Sequence, residues 1–269
     1  MLKDITLGQY FPGNSFVHRL DPRTKILIML AYIVMVFVVQ NFEGYIALAV
    51  FLAVCVMVSR ISPKYLIKGI RPILIFIVFT GLFNLFLTSG TVVWHWWIFT
   101  ITKEGIRLAA FMVLRLIFLI LGTSLLTLTT SPIALTDGIE HLLAPFKKIG
   151  VPAHEIAMMM TIALRFIPTL LDETDKIMKA QSARGASIDS GNILSRAKAM
   201  VPILIPLFIS AFRRADELAT AMECRCYRGG ENRTRLYELK YTATDGLGWA
   251  YTLILLAAII ALNLIFGKF

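Results

Sequence analysis

Charged residues are scarce in this sequence. They make up 16% of its 269 residues, while hydrophobic residues reach 57% and the mean hydropathy is +0.73. Soluble domains carry about 25% charged residues, so these proportions exclude an ordinary soluble domain and indicate an integral membrane protein. We expect the net charge of +10 to lie on the cytoplasmic side of the membrane rather than to bind nucleic acid.

Cysteine is also scarce, with only Cys55, Cys224 and Cys226 in the chain. Three cysteines do not suggest a disulfide framework. The Cys-x-Cys pair is too closely spaced for a C-x₂₋₄-C zinc knuckle and has no second pair. His154-Glu155 lacks the second histidine of H-E-x-x-H, which argues against a zinc protease. We therefore expect no metal site.

No G-x-x-x-x-G-K-[ST] motif occurs in the chain, so it has no P-loop for ATP. The apolar runs also lack the paired acids, Ser/His pairs or metal ligands of an intramembrane enzyme. These absences argue against an intramembrane enzyme and against a cofactor bound by this chain. If ATP drives its function, another chain must bind the nucleotide.

Five apolar runs are candidates for membrane-spanning helices. They are 26–39, 45–58, 72–88, 106–130 and 247–266. The first two are shorter than the roughly 20 residues that a spanning helix needs, and a short turn joins them, so we expect a tight helical hairpin. The predicted fold is an all-α integral membrane protein with about five transmembrane helices and an additional set of amphipathic cytoplasmic or membrane-embedded helices.

Basic residues predict the orientation in the membrane. The N-terminal segment and the 59–71 connection are rich in Lys and Arg, whereas the 89–105 connection holds only Lys103. That connection also carries Trp94, Trp96 and Trp97. Cytoplasmic loops are enriched in Lys and Arg, and tryptophan favours membrane interfaces. We expect a cytoplasmic N-terminus, an outer aromatic interface at 89–105, and residues 131–246 inside the cell.

Residues 131–246 differ from the rest in their charge. They hold 13 of the 17 acidic residues and 15 of the 27 basic residues. Two apolar pieces, 156–164 and 201–212, are too short to span alone, so we expect them to lie on or dip into the membrane and to continue into charged helices. The predicted domains are 1–130 with four transmembrane helices, 131–246, and 247–269 with the last one.

The first charged helix is expected to begin near Pro168, since proline suits a first helical turn. Three acidic residues, Asp172, Glu173 and Asp175, would then lie near its positive N-terminal end. Arg184 lies close to its expected end, because a glycine and a polar run follow.

The second charged helix is expected to begin near Pro202 or Pro206 and to run to about Tyr227, before a pair of glycines. Its apolar stripe is Ala211, Ala215, Leu218, Ala219, Met222 and Cys226. Arg213 and Glu217 form a candidate i,i+4 ion pair on another face.

One offset aligns the two charged helices, matching Asp175 with Asp216 and Arg184 with Arg225. Both helices therefore end at an arginine. Such an arginine could bind a partner, or it could simply complement the negative end of the helix dipole. Spacing alone leaves both interpretations open.

Arg115 lies midway along the fourth apolar run. A charged residue inside a membrane span is a candidate functional residue. A structural pairing within the protein is the alternative.

Several separated segments resemble the transmembrane component of energy-coupling factor (ECF) transporters, called EcfT, which is related to the CbiQ family. They are SFVHRLDPRTK (15–25), EGIRLAAFMVLRL (104–116), LTTSP (128–132), SPIALTDGIEHLLAPFKKIGVP (131–152), ALRFIPTLLDE (163–173) and AQSARG (180–185). The matches occur in the right order over most of the chain.

The resemblance implies a non-enzymatic scaffold in the bacterial cell membrane. Such a scaffold joins two cytoplasmic ATP-binding-cassette (ABC) ATPases, which bind ATP and Mg²⁺, to a membrane substrate-binding subunit, the S-component. The complex would import a vitamin or micronutrient, with a metal ion included in that range. A standalone secondary carrier or channel is the alternative, although carriers often contain two similar halves with broken helices, and the sequence shows no such halves.

The resemblance also implies two Ala-Arg-Gly motifs that end two coupling helices and insert into grooves on the ATPases. Ala183, Arg184 and Gly185 match the first motif. The second motif departs from the family, because cysteines flank its arginine. The ATPase-coupling residues are thus expected to be Ala183, Arg184, Gly185, Cys224, Arg225 and Cys226, supported by Glu223, Arg213 and Glu217.

Overall fold

The computed structural model describes residues 10–96, 99–185, 193–230 and 238–266. Helices dominate these residues, which confirms the prediction of an all-α membrane protein. The helices are α1 (Phe16–Arg19), α2 (Pro22–Val38), α3 (Phe42–Ser59), α4 (Pro63–Ile70), α5 (Leu74–Leu87), α6 (Lys103–Thr129), α7 (Pro132–Leu143), α8 (Ala153–Ala183), α9 (Ile193–Cys224) and α10 (Ala243–Phe266). Short 3₁₀ helices follow α4 and α7 at Arg71–Ile73 and Ala144–Ile149.

The chain divides into two compact units. The bundle unit consists of Gly8–Ile139 and Glu238–Phe269, and it contains helices α1 to α6 and α10. The helix-pair unit is Glu140–Tyr237, and its two long helices are α8 and α9.

Five of the described helical segments are long and apolar enough to cross a membrane. They are α3, the continuous stretch Pro63–Leu87, α6, α8 and α10. The number agrees with the prediction, but one member differs. Helix α2 has 17 residues, somewhat fewer than a span needs. The apolar piece 156–164 continues into the first charged helix, as expected, and both are part of the 31-residue helix α8.

The core of the bundle unit lies where α2, α3 and α10 pack together. Val36, Leu48 and Ile259 are fully buried there. Tyr32 is also buried, and its hydroxyl donates a hydrogen bond to the carbonyl oxygen of Phe118 in α6 (3.0 Å). This bond keeps the polar end of Tyr32 satisfied inside an apolar bundle.

A buried polar network joins the beginning of α2 to the segment that leads into α10. The amide of Asp21 donates to Asp245 Oδ1 (2.8 Å), and the amide of Thr242 donates to Asp245 Oδ2 (2.8 Å). Arg23 Nη2 donates to Asp21 Oδ2 (2.9 Å) and to the carbonyl oxygen of Leu239 (2.9 Å). The 15–25 segment therefore anchors the chain just before the last helix.

The 89–105 connection contains an antiparallel hairpin that the sequence analysis did not predict. Its strands are β1 (Val92–Trp96) and β2 (Phe99–Thr102). Valine, tryptophan and threonine favour strands, which accounts for the pairing. Trp97 lies outside the described residues, as do the side chains of Trp94 and Trp96, so the aromatic interface stays a prediction.

The predicted starts of the two charged helices are wrong. Helix α8 begins at Ala153 and α9 at Ile193, so Pro168, Pro202 and Pro206 all lie inside helices. Proline cannot donate to the carbonyl four residues earlier, and Pro206 therefore leaves the carbonyl of Pro202 without its helical partner. Gln181 Nε2 of α8 donates to that carbonyl (3.4 Å), which partly compensates for the loss.

Candidate functional site

Helices α8 and α9 pair in antiparallel fashion. Gln181 near the end of α8 contacts Pro202 near the start of α9. Glu173, earlier in α8, contacts Arg214, later in α9. Arg184 and Arg225 therefore lie at opposite ends of the pair. At 1.5 Å per residue, the stretch of α9 from Pro202 to Arg225 alone extends roughly 35 Å.

The contact between Glu173 and Arg214 is an interhelical ion pair. Arg214 Nη2 lies 2.8 Å from Glu173 Oε2, and each side chain is about one third exposed. Glu173 was expected near a helix N-terminus, but the early start of α8 places it in the second half of the helix, facing its partner. Arg213 and Glu217, the predicted pair, are both exposed on α9.

The first tip, defined as residues 183–185, ends α8 in a tight turn. The amide of Arg184 donates to the carbonyl of Ala180 (3.2 Å), and the amide of Gly185 donates to that of Ser182 (3.0 Å). Gly185 has a positive φ of 89°. Arg184 is thus the C-cap of α8, and the residue after it adopts the left-handed conformation that commonly terminates helices.

The second tip, residues 224–226, ends α9 in a turn of the same kind. The amide of Cys226 donates to the carbonyl of Glu223 (2.8 Å), and the amide of Tyr227 donates to that of Met222 (3.0 Å). This is the Schellman pattern, and Cys226 occupies its left-handed position with φ 55°. Cysteine thus adopts at the second tip the conformation that glycine adopts at the first.

Both tips are open to the surroundings. The exposed residues are Ala183, Arg184, Gly185, Glu223, Cys224, Arg225 and Cys226. Each arginine follows directly after the last helical residue, so its guanidinium can reach a partner without displacing a neighbouring helix. Within the described part of the chain, no three His, Cys, Asp or Glu side chains are grouped so that they could hold a metal ion.

A hydrogen-bonded node that the sequence analysis missed supports the second tip. His154 Nδ1 lies 3.0 Å from Glu140 Oε1, and His154 Nε2 lies 3.2 Å from the Tyr227 hydroxyl. The imidazole thus lies within hydrogen-bonding distance of a carboxylate on one side and a hydroxyl on the other. The node therefore connects the residue after Cys226 to the beginning of α8.

Gly230 packs closely against the side chain of His154. A Cβ atom on Gly230 would lie only 2.6 Å from His154 Cδ2, so only glycine lets the chain approach the imidazole face so closely. Glu140, His154 and Tyr227 are far apart in the sequence, and no local spacing links them. The sequence analysis therefore considered His154 only as a metal ligand of a zinc protease, and argued against that role.

Arg115 lies in the bundle unit and contacts aromatic rings. Its guanidinium carbon is 5.1 Å from the ring centroid of Phe111 and 5.4 Å from that of Phe37, within the range of cation–π contacts. Its buried Nε–H donates to no partner among the described residues. Phe37 is the penultimate residue of α2, so Arg115 lies level with the turn between α2 and α3. Its functional role stays a prediction.

Comparison with known proteins gives matches over nearly the whole chain. The CbiQ family, described as cobalt transport protein, matches residues 13–236. A Clostridium kluyveri protein named energy-coupling factor transporter transmembrane protein EcfT is 58% identical over 270 residues and covers 100% of both chains.

Two further relatives carry the same name. The Thermosediminibacter oceani protein is 63% identical over 91% of this chain and 92% of its own length. The Bacillus subtilis protein is 47% identical over 97% of this chain and 98% of its own length. Because of these matches and its apolar helices, we conclude that the chain belongs to the CbiQ family and is the transmembrane component of an energy-coupling factor transporter.

Proposed function

We propose that the chain is a non-enzymatic scaffold that couples ATP hydrolysis by two partner ABC ATPases to movement of a membrane S-component. The imported compound would be a vitamin or another micronutrient, a metal ion included. ATP and Mg²⁺ would bind to the ATPases. The observation that carries this proposal is the pair of exposed arginines, each at the C-cap of a long helix and at opposite ends of the α8–α9 pair.

The separation of the tips supports two ATPase subunits rather than one. With roughly 35 Å between the helix ends, each tip would meet a different subunit. Arginine offers a planar fork of donors that pairs with a carboxylate through two hydrogen bonds. Small neighbours such as Ala183 and Gly185 let a partner surface approach closely.

The apolar half of α9 supports a membrane partner. It exposes large side chains at Val201, Ile205, Phe208, Ile209 and Phe212. Side chains of this kind suit lipid or an apolar helix of the S-component. In this proposal the N-terminus and both tips lie in the cytoplasm of a bacterial cell, which the basic N-terminal segment favours.

The contacts between α8 and α9 suggest how motion would be transmitted. If ATP binding draws the ATPases together, the two tips are displaced relative to each other. The ion pair between Glu173 and Arg214 keeps the helices together, while proline breaks at Pro168 and Pro206 offer places where each can bend. The displacement would then reach the apolar parts of the pair as a hinge or shear motion.

Charge reversal at both tips tests the proposal. We expect Arg184→Glu with Arg225→Glu to weaken ATPase binding by at least about 30-fold, because breaking a buried interfacial pair costs roughly 2 kcal/mol or more. Co-purification of the ATPases and ATP-dependent uptake in liposomes are the measurements. Lys176→Glu with Lys240→Glu is the control, since both lysines are exposed, neither belongs to a tip and the net charge change is equal.

Two results would contradict the proposal. One is unchanged ATPase binding and uptake in the tip variant. The other is transport by the purified chain alone in liposomes without ATP, which would favour a standalone carrier or channel.

A further inference from the structure

An apolar cavity of about 270 Å³ lies inside the bundle unit. Its walls come from α1, the beginning of α2, the second half of α3, the end of α6 and the beginning of α10, with Leu20, Tyr32, Cys55, Leu125 and Tyr251 among them. All these helix segments lie toward the end of the bundle at which α2 begins. Apolar cavities stay dry and accept apolar ligands, so water is a poor occupant here.

Lys25 is the one cation in the wall of this cavity. Its side chain is buried, with 7% of its surface exposed. Its ammonium donates to the carbonyl oxygens of His18 (3.1 Å) and Thr129 (3.0 Å). An ammonium has three N–H donors, so the described contacts leave one for an oxygen of a ligand in the cavity.

Two exposed arginines are close in sequence to residues of the cavity wall. Arg19 lies between the wall residues Val17 and Leu20, and Arg60 follows the wall residue Val58 by two positions. Guanidinium groups pair readily with phosphate oxygens. An apolar chamber with a buried ammonium in its wall suits an acyl chain and its ester group, and the nearby arginines in the sequence could pair with a phosphate.

We propose that this cavity binds one acyl chain of an anionic phospholipid. An ester carbonyl of the lipid would accept the third N–H of Lys25, and the phosphate would lie beside Arg19 and Arg60. A cation-flanked site at the basic end of the bundle favours an anionic lipid over a zwitterionic one. This binding is independent of the ATPase contacts proposed above, because all its residues lie in the bundle unit.

Native mass spectrometry of the full-length chain in detergent can count bound lipids. Dioleoylphosphatidylglycerol and dioleoylphosphatidylcholine, which share the same acyl chains, would be titrated separately. We expect one tightly bound phosphatidylglycerol, with an affinity about tenfold higher than that of phosphatidylcholine. Equal affinities for the two lipids, or no retained lipid, would overturn the proposal.

Two sets of variants separate the chain site from the headgroup site. Cys55→Phe fills the cavity and should abolish retention of both lipids, whereas Met57→Phe adds the same ring at a position that is 69% exposed on the same helix and should not. Val54→Phe repeats the test from a neighbouring wall position if Cys55→Phe fails to fold. Retention of lipid by the filled, folded variants would refute the cavity as the binding site.

The second set of variants tests the headgroup contacts by removing positive charges near the cavity wall in sequence. Arg19→Gln with Arg60→Gln should reduce the preference for phosphatidylglycerol to about parity while leaving phosphatidylcholine binding unchanged. Lys64→Gln with Lys68→Gln removes the same charge from the exposed side of α4 and should keep the preference. If both double variants lost the preference for phosphatidylglycerol equally, the preference would depend on the overall surface charge. That result would contradict the headgroup contacts assigned to Arg19 and Arg60.

Discussion

The two arginine tips reach the same backbone turn by different means. At the first tip, Gly185 adopts φ 89° at no steric cost and has open space around it. At the second, Cys226 adopts φ 55°, a conformation that is unfavourable for a residue with a side chain. There the node of Glu140, His154 and Tyr227 holds the following residue in place. The comparison teaches that long-range contacts can support a turn where glycine is missing.

Removing the node should have the largest effect. His154→Ala deletes both hydrogen bonds, at about 1 kcal/mol each, so protection of the Cys226 and Tyr227 amides should fall roughly 30-fold. Hydrogen exchange measured by mass spectrometry checks this. Peptides that cover the first tip serve as the internal control and should not change. Equal loss of protection at both tips would mean that the node stabilises the whole pair rather than the second tip.

Gly229 and Gly230, which follow the second tip, provide a test of the contact with His154. Gly230→Ala places a Cβ against the His154 ring and should cost about 1–2 kcal/mol, while Gly229→Ala, with φ 86° and open space, should cost about 1 kcal/mol. In a His154→Ala background most of the cost of Gly230→Ala should disappear, because only the Cβ atom of residue 154, at 3.1 Å, remains close, and the cost of Gly229→Ala should persist. Thermal unfolding measures all four variants. A Gly230→Ala cost that survives without the imidazole would contradict the contact.

Gly185→Ala tests the first tip. Alanine meets no steric clash there, so only the positive φ opposes it, and we expect a loss of about 1 kcal/mol. Gly246→Ala is the matched control, because its site is also open but carries no positive φ. Only Gly185→Ala should lower the melting temperature, because alanine at the helical position 246 should leave it unchanged or raise it. Equal shifts would show that the turn does not depend on glycine.

Cys226→Gly should have the smallest effect, and the opposite sign. Glycine relieves the left-handed conformation and should raise stability by up to about 1 kcal/mol. Cys224→Ala, at the last helical residue, should change stability little. Lower stability of Cys226→Gly would indicate that the thiol makes a contact that outweighs the backbone conformation.

Local signals in the sequence were enough to find much of this arrangement. The apolar runs predicted most of the spanning helices, because burial in lipid requires an uninterrupted apolar stretch. The arginine followed by glycine predicted the end of α8, because glycine favours the left-handed turn that stops a helix. The aligned position in the second helix pointed to Arg225 even though its neighbours differ.

The features that were missed depend on contacts between distant residues. The proline signals placed the helix starts too late, because Pro206 is tolerated inside α9, where Gln181 of another helix bonds the freed carbonyl. The node at His154 joins residues from three separate segments. Neither arrangement leaves a periodic or local pattern in the sequence.

Site-specific crosslinking tests the central claim most directly. A photoreactive benzoylphenylalanine would replace Ala183 at the first tip or Cys224 at the second, in a complex assembled with two distinguishable ATPase chains. The crosslinked products would be identified by mass spectrometry. We predict that each position captures a different ATPase chain, as expected for tips at opposite ends of the helix pair. Capture of the same chain from both positions, or of neither, would contradict the account.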